Sequence, residues 1–173
     1  MSDTRVYRAQ PADLAEILPL VEEFCAADDH PYDETRVARA LAPLLAGDEH
    51  GQVWLVDADP EPGPGPDAEQ KSGRNTEPVA GIVIGYAVVT WGWSLESGGR
   101  EALLDEIYVR PRGAGVGAVL LQRVLAAAAE AGAAVMFLET EAHNERVRGF
   151  YARHGFAADD SVWMSRALTS PVR

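Results

Sequence analysis

Tyr108-Val-Arg-Pro-Arg-Gly-Ala-Gly-Val-Gly117 joins two segments of different periodicity. The run before it, Ala102–Val109, reads as a strand. The run after it, Val116–Ala131, places apolar residues at 116, 119, 120, 124, 127 and 128, which is helical spacing. Glycines at 113, 115 and 117 let backbone N–H groups approach an anion closely, and the helix behind them adds the positive end of its dipole. Arg110 and Arg112 supply full charges suited to a pyrophosphate. No Lys-Ser/Thr follows the last glycine, so this is not a Walker loop.

Working outward, Val6–Arg8 reads as a first strand, and Pro11 opens a helix carrying Leu14, Leu18, Val21 and Cys25. Asp28–Tyr32 is a loop, and Asp33 is the expected N-cap of a second helix that closes near Gly47. Two strands follow, Gln52–Asp57 and Val79–Thr90, with Trp91 and Trp93 just beyond the second. Residues 58–77 are dense in Pro, Gly, Asp and Glu and are expected to form a flexible insertion between strands two and three. After the helix come a strand over Val135–Glu141 and a further helix with Val147, Phe150, Tyr151 and His154 on one stripe, stopped by Gly155. A last strand is expected over Val162–Arg166, paired with a short run near Phe156. Late alternation of strand and helix implies a partly parallel sheet covered by helices, within a single domain over 1–173.

Asn144-Glu-Arg-Val-Arg-Gly-Phe-Tyr-Ala-Arg-His-Gly-Phe156 is the second informative segment. Together with the glycine turn it resembles the GCN5-related N-acetyltransferase (GNAT) superfamily. The turn matches at Arg112, Gly115 and Gly117, and the later helix at Asn144, Phe150, Tyr151, Gly155 and Phe156. The resemblance implies an α/β (α+β) fold with a mixed, mostly antiparallel sheet. Its strands four and five run parallel and splay apart, and helices cover both faces. It further implies acetyl-CoA as co-substrate, lying in the gap between those strands. Ile107, Tyr108 and Val109 would bond the pantetheine through their backbone. Arg112, Gly113, Ala114, Gly115, Val116 and Gly117 would cradle the pyrophosphate. Asn144 would contact the pantetheine arm, and Tyr151 would stand near the thioester sulfur. Family members often carry two more residues between the proline and the arginine of the turn. Here Pro111 is followed at once by Arg112, which leaves Arg110 and Arg112 both as candidates to meet the phosphates.

An amine acceptor, with a pKa of about 10.4, must lose a proton before it attacks a carbonyl. Asp105 and Glu106 lie on the strand that would flank the thioester. On a regular strand they point to opposite faces, so one of them faces the acceptor. In related polyamine acetyltransferases the aligned catalytic carboxylate falls at Asp105, and a bulge would exchange the roles. Tyr151 is the candidate proton donor to the departing thiolate. Asp29, Tyr32, Trp91 and Trp93 are candidate acceptor contacts, the tryptophans by stacking or cation–π interaction. Hydrophobic packing or a homodimer surface is the alternative use of those two rings.

Composition excludes several classes. The chain has 173 residues, 47% hydrophobic and 24% charged, and no apolar run of the ~18 residues a membrane span needs. The first residues lack the layout of a signal peptide, so a cytoplasmic protein is expected. Cys25 is the only cysteine, and His30, His50, His143 and His154 show no metal-binding spacing, so no metal is expected. The net charge of -12 arises wholly before residue 100. Such a field disfavours nucleic acid and favours a small cationic amine as acceptor. A peptide N-acetyltransferase and a non-catalytic CoA-binding regulator are the alternatives.

Overall fold

The computed structural model describes residues 4–58, 81–110 and 113–168. The expected insertion lies outside them except for Ala58, as do Val79 and Arg112. The chain divides into two compact units, residues 1–139 and 140–173.

The first unit is built in the order β1 (Thr4–Arg8), α1 (Leu14–Ala27), α2 (Glu34–Ala46), β2 (Gly51–Ala58), β3 (Ile82–Ser94), β4 (Gly99–Val109), α3 (Val116–Glu130) and β5 (Met136–Leu138). The second contains α4 (Glu145–Arg153). The strands form one sheet in chain order, antiparallel from β1 to β4 and parallel between β4 and β5. β2 is buried from Gly51 to Asp57, which requires cover on both faces. Val53 and Leu55 pack with Tyr86 and Val88 against Ile17, Leu20 and Val21 of α1 and Leu41, Leu44 and Leu45 of α2. α3 covers the other face, burying Leu120, Leu121, Val124, Ala127 and Ala128. Asp33 caps α2 as its residue type demands, accepting from the Arg36 amide at 3.0 Å. No described helix is long and apolar enough to cross a membrane.

Four sequence expectations need correction. The first helix opens as a 3-10 turn at Pro11–Asp13 before α1 begins. β3 continues through Trp91 and Trp93 to Ser94, because Gly99–Ala102 of β4 pairs with it there and extends the hairpin. β5 keeps only three residues, since it pairs with β4 only at Ala102–Leu104. Immediately beyond, β4 bulges: Val89 faces Leu104 while Val88 faces Glu106, which leaves Asp105 as the extra residue and turns the edge away. Finally, Val162–Arg166 and the residues around Phe156 form no strand. Val162, Trp163 and Met164 are exposed, and β propensity does not hold a strand that lacks a partner.

Gly85 lets β3 and β4 meet at the end where β4 leaves the sheet. A Cβ there would lie 2.6 Å from the Tyr108 carbonyl oxygen and 2.8 Å from Val109 Cγ1. Gly85→Ala should therefore cost about 1–3 kcal/mol by overpacking. A lower urea midpoint at unchanged slope is the expected reading. An unchanged midpoint would show that the strands part freely to admit the methyl group.

Candidate active site

β4 is held by β3 along its whole length, but by β5 only as far as Leu104. From Asp105 to Val109 the N–H and C=O groups pointing away from β3 meet no strand among the described residues. Half of a sheet ladder is thus open, and an extended amide-bearing ligand would complete it. Ile107 and Val109 present their backbone groups on this edge, while Tyr108, like Arg110, turns its own toward β3.

The strand then feeds the glycine turn. Gly113 and Gly115 adopt φ of +95° and +83°, a region that L side chains rarely occupy. Gly115 is the N-cap of α3, where no side chain caps the helix and no acidic residue sits in the first turn. Among the described residues no side chain caps the leading amides, Val116 and Gly117 among them, and no first-turn carboxylate offsets the dipole. Nothing lies within 4 Å of where a Cβ would stand on Gly113 or Gly115, so the cradle is open. Ala114 lies between these two glycines. Arg110 is not free to serve an anion: its Nε donates to Glu23 Oε2 at 2.7 Å and its Nη2 to Glu23 Oε1. The Tyr108 hydroxyl donates to the same carboxylate at 3.0 Å. Hydrogen bonding from Arg110 holds the Glu23 carboxyl below its ordinary pKa, so the clasp is ionic at neutral pH.

The bulge decides where the two adjacent carboxylates go. Asp105 is the more exposed of the two, although partial desolvation raises its carboxyl as well, whereas Glu106 is half-buried on the α1–α2 face. There the fully buried Tyr86 donates its hydroxyl to Glu106 Oε2 at 2.6 Å. Burial pushes the Glu106 carboxyl above its usual range, and the charge of Asp105 adds to this. The Tyr86 hydrogen bond and the charge of His30 act the other way. The Tyr86 hydrogen bond therefore leaves the Glu106 carboxyl more readily ionised than burial alone would allow. Desolvation likewise raises the phenol of Tyr32, with Glu34 and Glu22 adding to it, which marks a negative field around that ring. Asp29 is exposed in the same loop with φ of +54°. Burial pushes the Cys25 thiol up, which keeps it protonated and unreactive.

Trp91 and Trp93 are not brought to this wall. From Gly85 onward β3 alternates regularly, so these rings share the face of Val89, opposite that of Tyr86 and Val88. The Trp91 indole donates to the Asp48 carbonyl at 2.8 Å, and Trp93 is exposed.

In the second unit Asn144 caps α4, its Oδ1 accepting from the Val147 amide at 3.3 Å. The amide NH2 of Asn144 is left for other use. Tyr151 lies edge-on to Phe150 and Phe156, at 5.3 and 5.6 Å between centroids. Burial raises its pKa, so the phenol carries its proton at neutral pH. No group of three or more metal-ligating side chains is found among the described residues.

A model of the Acetyltransferase (GNAT) family matches residues 40–156. The chain belongs to this family. Over 78 residues it is 36% identical to uncharacterized N-acetyltransferases of Mycobacterium bovis and Mycobacterium tuberculosis, spanning 44% of this chain. The matched part is 47% of those proteins, so the chain spans about half the length of the curated relatives it matches. An integron cassette protein from the mobile metagenome of Cole Harbour salt marsh is 28% identical with a TM-score of 0.72, over 96% of this chain and 91% of that one. The aminoglycoside N-acetyltransferase AAC(6')-Iy, solved with CoA, has a TM-score of 0.73 at 17% identity, over 98% of this chain and 97% of that one. That second likeness is one of GNAT fold alone.

Three features of this GNAT site escaped the sequence. Tyr86 sat in an apolar run that gave it no separate signal. His30 has no metal-binding spacing and no other local signal in the sequence. Glu23 belonged to a diffuse acidic set, and nothing linked it to a partner 87 positions away. Tyr86→Phe tests the first of these. Losing a hydroxyl that favours the carboxylate should move the Glu106 carboxyl further up, and carbon-detected NMR titration of the glutamate side chains reads the shift. An unmoved or lowered value would mean that the hydroxyl does not set the ionisation.

Proposed function

We propose that the chain is an acetyl-CoA-dependent N-acetyltransferase that moves the acetyl group directly to a primary amine of a small cationic acceptor. The observation that carries this reading is the open edge of β4 leading into an uncapped, acid-free glycine turn. An extended, amide-containing arm that ends in a pyrophosphate matches both halves of that arrangement. With Arg110 engaged by Glu23, Arg112 is the arginine we assign to the phosphates.

Glu106 is the proposed base. It accepts a proton from the acceptor ammonium, directly or through water, and the neutral amine attacks the thioester carbonyl. A C–N bond forms, the C–S bond breaks, and the thiolate leaves. Tyr151 is the proposed donor of the proton that returns to sulfur, the second proton lost from nitrogen as the amide forms restores the phenol through water, and Asn144 is a proposed contact of the pantetheine arm. Direct transfer is favoured over an acetyl-enzyme because the only thiol, Cys25, is held protonated. The cationic acceptor is supported by the exposed carboxylates of Glu22 and Glu34, whose charges act on Tyr32, with Asp29 exposed in the preceding loop. Asp33 adds its charge to this field while it caps α2, whereas the Glu23 carboxylate is paired with Arg110.

Two variants separate coenzyme binding from chemistry. Gly115→Asp puts a side chain and a negative charge where φ and an incoming anion both oppose them. Calorimetry should show loss of CoA binding with the thermal transition retained, and unchanged affinity would sink the turn assignment. Glu106→Gln should keep CoA affinity while lowering kcat/KM for the best amine by roughly 10²–10⁴. For the parent protein, kcat/KM should fall as pH drops through a value above the ordinary carboxylate range. If Asp105→Asn carries the loss instead and Glu106→Gln is benign, the base is Asp105.

A further inference from the structure

A second cleft, of about 360 Å³, opens on the α3 face of the sheet. It lies beside the C-terminal turn of α3, and the glycine turn sits at the other end of that helix. Fifteen helical residues separate the two ends by about 22 Å. Buried Gln52 and Trp54 of β2 contribute to its lining, and three arginines reach it, Arg8, Arg100 and Arg123. In a chain of net charge -12 this concentration of guanidinium groups is not part of a general basic surface.

The three arginines are not equivalent. Arg8 is consumed internally: its Nη2 donates to the carbonyls of Leu44 and Gly47 and to Asp48 Oδ1 at 3.0, 3.1 and 2.7 Å. Arg100 uses one donor on the Ala131 carbonyl at 2.8 Å and forms no ion pair among the described residues. Its guanidinium lies over Trp91, 5.5 Å from the ring centroid. Arg123 lies over Trp54 at 4.2 Å, and among the described residues its one carboxylate contact is Glu130 at 3.4 Å. Glu130 is 67% exposed, so that pair is worth little. Two planar forks, each oriented by an indole face, therefore keep most of their five donors unused. Gln52 adds to the donor excess: its Oε1 accepts from Trp54 Nε1 at 3.1 Å, leaving the amide NH2. The opposing carboxylates, Asp48 and Glu130, are each 67% exposed and can stay in water.

We propose that this cleft is a binding site for a small dianion bearing carboxylate or phosphate oxygens, held between the forks of Arg100 and Arg123. Planar guanidinium groups bind such oxyanions bidentately, and the cleft volume suits a compact metabolite. The site is separate from the transfer chemistry and does not rest on it.

The indole Nε1–H signals of Trp54 and Trp91 are reporters next to the two forks. Titration of the isotope-labelled protein with succinate, and separately with inorganic phosphate, at constant ionic strength should move both signals saturably. Saturation by succinate alone points to a dicarboxylate, and by phosphate alone to a phosphate group; either supports the site. Arg100→Gln combined with Arg123→Gln should weaken binding at least tenfold. If that double variant does not fold, Arg100→Lys keeps the charge, loses the fork, and should weaken binding several-fold. No saturable shift with either anion, or the same shifts in the variants, overturns the proposal.

Discussion

A sheet strand needs a neighbour on each edge, and β4 loses one of its two after Leu104. Every other feature of the candidate site follows from how the chain manages that loss. The bulge at Asp105 bends the strand away from β5 instead of allowing the ladder to continue. Gly85 then lets β3 approach closely enough to hold the exposed end from its remaining side, with the Arg110 amide donating to the Ile84 carbonyl at 2.6 Å. The clasp of Glu23 on Tyr108 and Arg110 fixes the same end from α1. An edge that would otherwise invite pairing with another chain is thus stiff, short and directed into a glycine turn.

The same bulge sorts two chemically similar carboxylates into different environments. Asp105 keeps more of its contact with water and is raised only by desolvation, while Glu106 turns toward α1 and α2 and meets a buried phenol. Opposing influences act on Glu106: burial and Asp105 favour the protonated form, and Tyr86 and His30 favour the charged one. A fully buried, unpartnered carboxylate would stay protonated, and a solvated one would be too weak a base for an amine. The Tyr86 hydrogen bond keeps Glu106 between these limits. The buried hydroxyl thereby finds its own partner, which a core tyrosine requires.

Local signals in the sequence carried most of the fold because helix caps, glycine turns and apolar periodicity act over a few residues. Asp33, Gly115 and the apolar face of α3 were legible for that reason. The errors fell where pairing decides. The Trp91-Gly-Trp93 segment was read as lying past its strand, yet Gly99–Ala102 gives it a partner. Val162–Met164 has every residue type of a strand and forms none. The face each tryptophan takes depends on a strand parity counted from Gly85, which no local pattern reveals. The choice between Asp105 and Glu106 depends in turn on one inserted residue in β4.

The geometry of α3 shows why a single strand governs the whole arrangement. No basic residue in the last turn of α3 offsets its negative end. Arg100, at the start of β4, reaches across to the Ala131 carbonyl and supplies that charge. At its other end β4 feeds the turn that opens α3, with Arg110 locked to Glu23. β4 therefore anchors α3 at both termini, one by covalent continuity and one by a charged hydrogen bond. Sliding or tilting the helix against the strand would break that bond or strain the turn. The helix is thus oriented by β4 through Arg100 at its C-terminal end, and its own chain leads back to β4 at the other.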